Sequence, residues 1–383
     1  MTYEIQGYCD ERFNAVREVF KKNFEEGLEV GASYAIVLHG NLVVDLWGGF
    51  TDAKRTKLWT ENTIVNVFST SKIITALCIH LLVDRGLVDL DSAVMEYWPE
   101  FGQSRKENVL VRHVLSHTAG LPGFTEKVTI KDMYDWERVI NLLEIQKPWW
   151  KPGSRLGYHS LTYGYLLGEI VRRVTGKTLG TFFRDEIAYP FSIDFHFGLS
   201  EEQDSRVAEV VSPDKAPTKF QILLAKLLLR KTMKIATNPP VKEEEVNTRA
   251  WRAVEIPAAN GHGNARSIAR IGSILASGGV LDDKRIISRV TVENAIEEQK
   301  SGRDPYAFYL PMKWGLGVSL ENDKFLLGSR SFYWSGMGGS ICVMDLEKNV
   351  SMAYAMNKMV DIGRDEIRSE RLVQTSWDVL SSL

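Results

Sequence analysis

A serine and a lysine three residues apart are the first candidates for chemistry in this sequence. Ser69 and Lys72 belong to a polar Ser-Thr-Ser-Lys run that opens the apolar segment 73–83, and Gly86 follows soon after. Serine and threonine favour the first turn of a helix and glycine favours its end, so we predict a helix that starts here. Residues three apart share a helix face, so the lysine amine should contact the serine hydroxyl. The pair combines a nucleophile with a candidate base.

The start of the predicted helix also supplies an oxyanion donor. Backbone amides in the first turn lack an acceptor within the helix, and the helix dipole favours negative charge there. The amide of Ser69 could therefore stabilise an oxyanion. Lys72 would need a lowered pKa to act as a base, and burial lowers the pKa of an amine because it disfavours the charged form. A capped helix with a surface lysine is the alternative, since Ser-x-x-Lys is common by chance.

Composition and charge exclude several classes of protein. The 383 residues are 44% hydrophobic and 25% charged, which is typical of a globular protein, and this length predicts two subdomains. A formal net charge of −2 gives no electrostatic case for nucleic-acid binding. Cys9, Cys78 and Cys342 are far apart, so we predict reduced thiols and a cytoplasmic protein. We recognise no signal peptide, and no apolar run approaches the roughly 18 residues of a membrane span.

Strand patterns at both ends of the chain predict one antiparallel sheet. Residues 12–26 have the apolar period of a helix, and residues 31–38 and 42–47 resemble the two strands of a hairpin. A closing helix is predicted over residues 364–383. Further strand patterns precede it at residues 315–320, 325–327, 332–334, 340–344 and 351–356.

The middle of the chain shows no convincing hairpin and predicts helices and loops from residue 73 to about residue 191. We therefore predict an α+β fold with two subdomains. Residues 1–72 and 250–383 would form an α/β subdomain, in which terminal helices flank the antiparallel sheet. Residues 73–249 would form an all-helical subdomain, with the site in the cleft between the two.

Residues 215–234 form a basic amphipathic segment with six basic residues and no acidic one. Such a helix can lie on a membrane surface, cover an apolar pocket as a flap, or pack against a partner subunit. We favour the flap or packing interpretation over membrane association. Packing of this segment against a second copy would give a homodimer, which the sequence neither requires nor excludes.

Two histidines four residues apart raise the question of a metal site. His113 and His117 could share an ion, but the glutamate of H-E-x-x-H and a third ligand are missing. We therefore predict structural histidines that bond to the local backbone, no metal and no cofactor. The Gly-rich residues 258–264 lack the lysine of a P-loop, so they do not predict a phosphate site.

Three short motifs together resemble those of a known family. Their order and spacing are similar to the Ser-x-x-Lys, Tyr-x-Asn and Lys-Thr-Gly signatures of serine β-lactamases and penicillin-binding proteins. The resemblance covers nearly the whole chain and is closest to the class C β-lactamase-like branch, especially the family VIII carboxylesterases. It implies a β-lactamase-like fold. The motifs are Ser-Thr-Ser-Lys at 69–72, Tyr-His-Ser at 158–160 and Trp-Ser-Gly at 334–336.

The resemblance also implies a role for each matched residue. Ser69 would be the nucleophile, and Lys72 and Tyr158 would share the base role, with Tyr158 passing the proton to the leaving group. The backbone amides of Ser69 and Met337 would form the oxyanion hole. The implied substrate-binding residues are Trp334, Ser335, Gly336, Ser160 and His262.

Two departures from the family motifs point away from β-lactam substrates. Ser160 stands where the family has an asparagine, whose amide touches the side chain of a β-lactam. Trp334 stands where the family has a lysine, so the cation that binds a substrate carboxylate is absent. A neutral, aromatic-rimmed pocket favours uncharged esters. We therefore predict a carboxylesterase that cleaves small, short-chain acyl esters through an acyl-serine intermediate.

Other functions remain open at this point. The same site could serve an acyltransferase, a weak β-lactamase or a D-amino-acid peptidase. A non-catalytic relative that acts as a scaffold or binds lipid surfaces is a third class. An α/β-hydrolase is not supported, because its Gly-x-Ser-x-Gly motif does not occur in this sequence.

Overall fold

Strands lie mainly towards the two ends of the chain and helices occupy most of its middle. The computed structural model describes residues 4–214, 218–320, 325, 328–360 and 366–383. The strands are β1 Gln6–Cys9, β2 Gly31–Leu38, β3 Asn41–Gly49, β4 Val65–Asn66, β5 Phe195–His196, β6 His262–Gly263, β7 Val280–Leu281, β8 Lys284–Arg285, β9 Lys300–Asp304, β10 Leu310–Trp314, β11 Ser331–Ser335, β12 Ile341–Asp345 and β13 Val350–Met356.

The helices alternate with these strands and are longest in the middle of the chain and at its C-terminal end. They are α1 Asn14–Glu25, α2 Ser71–Asp84, α3 Val94–Tyr97, α4 Val111–Leu115, α5 Trp136–Ile145, α6 Thr162–Thr175, α7 Leu179–Phe183, α8 Lys219–Leu228, α9 Arg230–Ala236, α10 Glu243–Val246, α11 Arg249–Ala253, α12 Ala265–Ala276, α13 Arg289–Ala295 and α14 Ile367–Ser382.

A six-stranded antiparallel sheet joins the two ends of the chain, in the order β1-β3-β2-β13-β12-β11. The N-terminal hairpin meets the C-terminal strands where β2 pairs with β13, with Tyr34 opposite Tyr354. Both strands are fully buried because helices cover both faces of the sheet. The Tyr34 hydroxyl bonds to Ser376 of α14, 2.8 Å away, whereas the neighbouring Ser33 hydroxyl accepts the amide of Ala265 of α12. The predicted sheet and its flanking helices are confirmed.

One predicted strand is wrong. Residues 315–320 form a loop after β10 that reaches the sheet through a single bridge between Ser319 and Tyr333. Gly317 explains the difference, because its φ of +94° lies in the left-handed region that interrupts a strand. The pattern at 325–327 falls largely outside the described residues. β1 was missed, since only four residues of it pair with β3.

The helix α2 forms the centre of the helical region. Every residue from Ser71 to Leu82 is buried, because α6, α7 and α13 pack around it. This surrounding explains why its sequence is apolar on all sides rather than on one stripe. The division into an α/β subdomain and a helical subdomain stays an interpretation of the sequence.

The basic segment is not one helix. α8 and α9 are separated at Leu229, whose φ of −112° and ψ of 38° are not helical. Residues 215–217 of the segment lie outside the described residues. Within the described ranges, we find no helix whose length and apolar character would let it span a bilayer. Cys9, Cys78 and Cys342 are free thiols, as predicted.

Candidate active site

Ser69 lies in a tight turn that leads directly into α2. A 3₁₀ helix, Phe68–Thr70, forms this turn, and Phe68 before the serine has a φ of +46°. A left-handed backbone at a bulky residue costs roughly 1–3 kcal/mol. Burial of the Phe68 ring, which is 4% exposed, helps to offset that cost. The turn leaves Ser69 itself partly exposed, so a substrate can reach its hydroxyl.

Hydrogen bonds from distant segments hold this turn on two sides. On one side, the amide of Val67 donates to the carbonyl of Gly261 at 2.9 Å, and the amide of Gly261 donates to the hydroxyl of Ser71 at 3.0 Å. On the other side, the hydroxyl of Ser340 donates to the carbonyl of Val67 at 2.8 Å and lies 3.0 Å from the hydroxyl of Thr70. The position of the nucleophile is therefore fixed by residues nearly 200 and more than 270 positions away.

Lys72 is a buried amine next to the serine hydroxyl. Its side chain is 1% exposed, and Nζ lies 3.0 Å from Ser69 Oγ and 2.9 Å from the carbonyl oxygen of Ala258. Burial holds the pKa of this amine well below its usual value of 10.5, and no described carboxylate forms an ion pair with it to oppose the shift. The neutral amine, which can accept a proton, is thereby favoured.

Tyr158, which is 89 residues away in the sequence, contacts the same hydroxyl. Its phenol oxygen lies 2.7 Å from Ser69 Oγ, and its ring centroid lies 4.9 Å from Lys72 Nζ. Burial raises the pKa of the phenol above its usual value of 10, so the neutral phenol is favoured. Ser69 Oγ therefore lies between an amine and a phenol, both within hydrogen-bond distance.

Aromatic rings hold the phenol in place. The ring of Tyr158 is parallel to that of Trp314, with centroids 6.2 Å apart, and meets the ring of His117 edge-on at 5.0 Å. Trp334 completes the group, with its centroid 5.3 Å from that of Tyr158 and 4.7 Å from that of Trp314. The indole N–H of Trp314 has no hydrogen-bond partner among the described residues. The wall of the site is therefore aromatic and, around Trp334, carries no charge.

The third motif, residues 334–336, lies at the C-terminal end of β11, beside the turn that carries Ser69. A Cβ on Gly336 would lie 2.2 Å from the carbonyl oxygen of Val67 and 2.4 Å from Ser340 Oγ, so only glycine permits this approach. Ser335 and Gly336 are partly exposed, and the Met337 side chain is half exposed. Among the described residues, neither the Ser69 amide nor the Met337 amide has a hydrogen-bond acceptor. Both amides are thus available as donors, and the oxyanion hole that they would form stays a prediction.

The two other predicted substrate-binding residues differ in their exposure. Ser160 is partly exposed two residues after Tyr158, and its contact with a substrate stays a prediction. His262 is completely buried, and its Nδ1 lies 2.8 Å from the carbonyl oxygen of Asn260. Burial lowers the pKa of His262 to about 3, and the positive charge of Arg252 adds a smaller lowering. His262 thus has no exposed surface in this structure, and its contact with a substrate stays a prediction.

His113 bonds to the local backbone, as predicted, whereas His117 bonds to a backbone amide 42 residues away. His113 Nδ1 accepts the amide of Leu110 at 3.1 Å, and His117 Nδ1 accepts the amide of His159 at 3.1 Å. Burial holds the pKa of His117 well below 6.5 and lowers that of His159 to about 3, so both rings are neutral. In the part of the chain that the structure describes, no cluster of His, Cys, Asp or Glu could hold a metal ion.

Sequence reasoning missed a buried aspartate that holds Tyr158. The carboxylate of Asp304 is completely buried and accepts the amides of Tyr158 and Tyr306, both at 2.8 Å. Asp304 and Tyr158 are 146 residues apart, so no local pattern connects them. His117 and Trp314, which pack on the phenol ring, were missed as site residues for the same reason.

The chain matches proteins of known family and structure over almost its full length. The family model described as Beta-lactamase matches residues 20–375. The Mycobacterium tuberculosis (strain ATCC 25618 / H37Rv) protein "Esterase/beta-lactamase LipL" is 32% identical over 366 residues, which cover 93% of this chain and 83% of that protein.

Two solved structures share the whole fold. A family VIII carboxylesterase superimposes with a TM-score of 0.90 at 38% sequence identity, covering 98% of this chain and 100% of that one. A penicillin-binding protein homologue from Caulobacter crescentus superimposes with a TM-score of 0.87, also at 38% identity and with the same coverage. The antiparallel sheet and helical region described above therefore form a β-lactamase-like fold.

Proposed function

The chain belongs to the beta-lactamase family, and on this premise we propose that it is a serine esterase. It hydrolyses neutral, short-chain acyl esters through a covalent acyl-Ser69 intermediate. The observation that carries the proposal is the position of Ser69 Oγ, 3.0 Å from the amine of Lys72 and 2.7 Å from the phenol of Tyr158. The names of the relatives, an esterase/beta-lactamase and a family VIII carboxylesterase, support ester hydrolysis.

The hydrogen bonds permit one consistent set of proton positions. The phenol O–H of Tyr158 donates to Ser69 Oγ, and the Ser69 O–H donates to the lone pair of a neutral Lys72 amine. One N–H of that amine donates to the carbonyl of Ala258. Each polar group in this series of hydrogen bonds then has a partner, and the serine proton already points at the amine that will accept it.

Acylation follows from this arrangement. Ser69 Oγ attacks the ester carbonyl carbon while its proton moves to Lys72 Nζ. The oxyanion accepts hydrogen bonds from the amides of Ser69 and Met337. The C–O bond to the alcohol then breaks, and Tyr158 gives its proton to the departing alkoxide. Lys72 returns the proton it received to Tyr158, so both groups are restored.

Deacylation repeats these steps with water in place of the alcohol. Water attacks the acyl carbon, and its proton passes to Lys72 directly or through Tyr158. The bond to Ser69 Oγ breaks, and the serine oxygen regains a proton from the same pair. The acid product leaves, and the site returns to its first state. Alcohol in place of water would give acyl transfer, which is the nearest alternative reaction.

The wall of the site supports uncharged substrates. Trp334 is 8% exposed and contacts other aromatic rings, so no cation is offered to a substrate carboxylate at this position. Hydrolysis of p-nitrophenyl acetate, compared with that of a carboxylate-bearing cephalosporin, tests this preference. The proposal expects a burst of p-nitrophenol followed by steady turnover, and much slower opening of the β-lactam. Faster β-lactam opening would favour the second candidate, a β-lactamase, which the printed name of LipL raises.

The fall of kcat/KM at low pH should reflect the protonation of Lys72. Since the neutral amine is the base, kcat/KM falls as the pH drops through the pKa of Lys72 and is constant above it. Burial lowers that pKa, so the plateau should begin well below pH 10.5. The profile is measured with p-nitrophenyl acetate after subtraction of the rate with Ser69→Ala enzyme. A rate that keeps rising up to pH 10.5 would contradict a lowered pKa.

Removal of the Tyr158 hydroxyl should lower kcat/KM for the hydrolysis of an alkyl ester by roughly 10²–10⁴-fold, because proton transfer to the leaving alkoxide is lost. Tyr158→Phe keeps the ring and its packing on Trp314, so the fold should be retained. Tyr163→Phe is the matched control: its hydroxyl is buried and has no partner among the described residues. The control should keep full kcat/KM and equal or higher thermal stability. Equal rates for the two variants would exclude Tyr158 from catalysis.

The cytoplasmic location and a homodimer remain expectations from the sequence. A non-catalytic scaffold is the third hypothesis. It is disfavoured by the contacts of Ser69 with Lys72 and Tyr158, which a structural role does not require.

A further inference from the structure

The helix α8 exposes a row of leucines to solvent. Leu223 and Leu227 are four residues apart, as are Leu224 and Leu228, so all four lie on one side of the helix. Their exposed fractions are 65% for Leu223, 69% for Leu227, 62% for Leu228 and 42% for Leu224. The leucine side of α8 is therefore largely unpacked against the described part of the chain. This exposure argues against a flap that closes with its leucine side.

A turn beside α9 also exposes large apolar side chains. Phe308, in the connection between β9 and β10, is 59% exposed, and Leu310, the first residue of β10, is 53% exposed. Thr232 of α9 joins the turn to the helices: its hydroxyl donates to the carbonyl of Pro305 at 3.1 Å and accepts the amide of Phe308 at 3.2 Å. The turn is therefore held by α9, the helix that follows the leucine side of α8 in the chain.

Positive charge accompanies the apolar side chains. Arg230, Lys231 and Lys234 of α9 are exposed, and none forms an ion pair with a described residue. Lys234 Nζ lies 3.7 Å from the ring centroid of Trp149, and Lys231 Nζ lies 5.8 Å from that of Tyr306. The sequence from 218 to 236 contains five basic residues and no acidic one. The surface therefore combines apolar groups with cations that form no ion pair with the described residues.

We propose that α8, α9 and the 305–310 turn dock the protein on an anionic lipid surface. Exposed leucines and a phenylalanine can enter the boundary between headgroups and acyl chains, and neighbouring lysines and arginines bind anionic headgroups. A protein partner with an apolar face alone would leave the cations unpaired. The charge complementarity thus favours an anionic bilayer.

This surface lies close to Tyr158 of the candidate active site. The turn that carries Phe308 begins after Asp304, whose carboxylate holds the amide of Tyr158. Lys234 covers Trp149, next in the chain to Trp150, whose ring centroid lies 5.4 Å from that of Tyr306. Docking would therefore bring the site close to esters dissolved in the lipid. This consequence rests on the proposed function, whereas docking itself does not.

Co-sedimentation with vesicles tests the docking. The full chain carrying Ser69→Ala is mixed with vesicles of phosphatidylcholine alone or of phosphatidylcholine with phosphatidylserine. We expect binding to the anionic vesicles only, weakened by added salt. Leu227→Asp with Leu228→Asp should reduce binding more than about tenfold. Arg230→Gln and Lys231→Gln should each reduce it roughly fivefold.

The control is Leu58→Asp, because Leu58 is 70% exposed on a segment after β3 that does not belong to this surface. Leu58→Asp should bind like the parent. The two aspartate substitutions in α8, placed in the protein with Ser69 intact, should leave p-nitrophenyl acetate hydrolysis unchanged. Absence of binding to anionic vesicles, or equal binding by the α8 variant, would overturn the proposal. A lipid-free dimer that the same variant dissociates would overturn it too, because the face would then bind a second copy.

Discussion

Replacement of Ser69 by alanine should lower the kcat/KM for p-nitrophenyl acetate by at least about 10⁴-fold, to a rate near that of buffer. The reason is that neither the amine of Lys72 nor the phenol of Tyr158 has another hydroxyl at 3.0 Å or less in the contacts described above. Stability should change little, since Ser69 is partly exposed. Steady-state kinetics and a thermal melt measure both effects.

Ser71→Ala is the matched control within the same motif. The Ser71 hydroxyl accepts the amide of Gly261 at 3.0 Å, so it holds the loop rather than the substrate. Its loss leaves a buried donor unsatisfied and should cost about 1–3 kcal/mol of stability. The folded protein should still form an acyl-enzyme. If Ser71→Ala abolished acylation and Ser69→Ala did not, the nucleophile would be misassigned.

Lys72→Met should lower kcat for p-nitrophenyl acetate by roughly 10²–10⁴-fold. Methionine fills a similar volume in the buried site but cannot accept the serine proton. Because a neutral amine is replaced by an apolar group, the fold should tolerate the change. The measurement is single-turnover acylation, which separates the base from later steps.

Lys106→Met controls for the loss of a buried lysine. Lys106 is completely buried, and burial lowers its pKa to about 8, but its amine donates to the carbonyls of Gln103, Glu144 and Gln146. This variant should lose stability, because three carbonyls lose their donor, and keep its rate per folded molecule. Equal rate losses in the two variants would mean that Lys72 only supports the fold.

Only the part of the site whose residues are close together in the sequence could be predicted without a family resemblance. Ser69 and Lys72 are three apart at the start of a helix, and helix geometry brings them together. Tyr158 lies 89 residues from Ser69, so it was found only because its motif resembles that of a known family. Asp304 matches no motif, and its role depends on a turn that meets Tyr158 in the folded chain.

The fold shows the same division between local and distant information. The hairpin of β2 and β3 and the helices α1, α2 and α14 were predictable from local sequence patterns. The strand predicted at 315–320 fails because Gly317 turns the backbone there, close to Ala76 of α2. The basic segment was taken for one helix because composition cannot reveal the break at Leu229.

Peptide mass spectrometry after treatment with a fluorophosphonate tests most directly whether the amine and the phenol activate this serine. We expect one adduct, on the peptide that contains Ser69, with much slower labelling in Lys72→Met and Tyr158→Phe. An unlabelled wild-type protein, or an adduct on a different serine, would contradict this account.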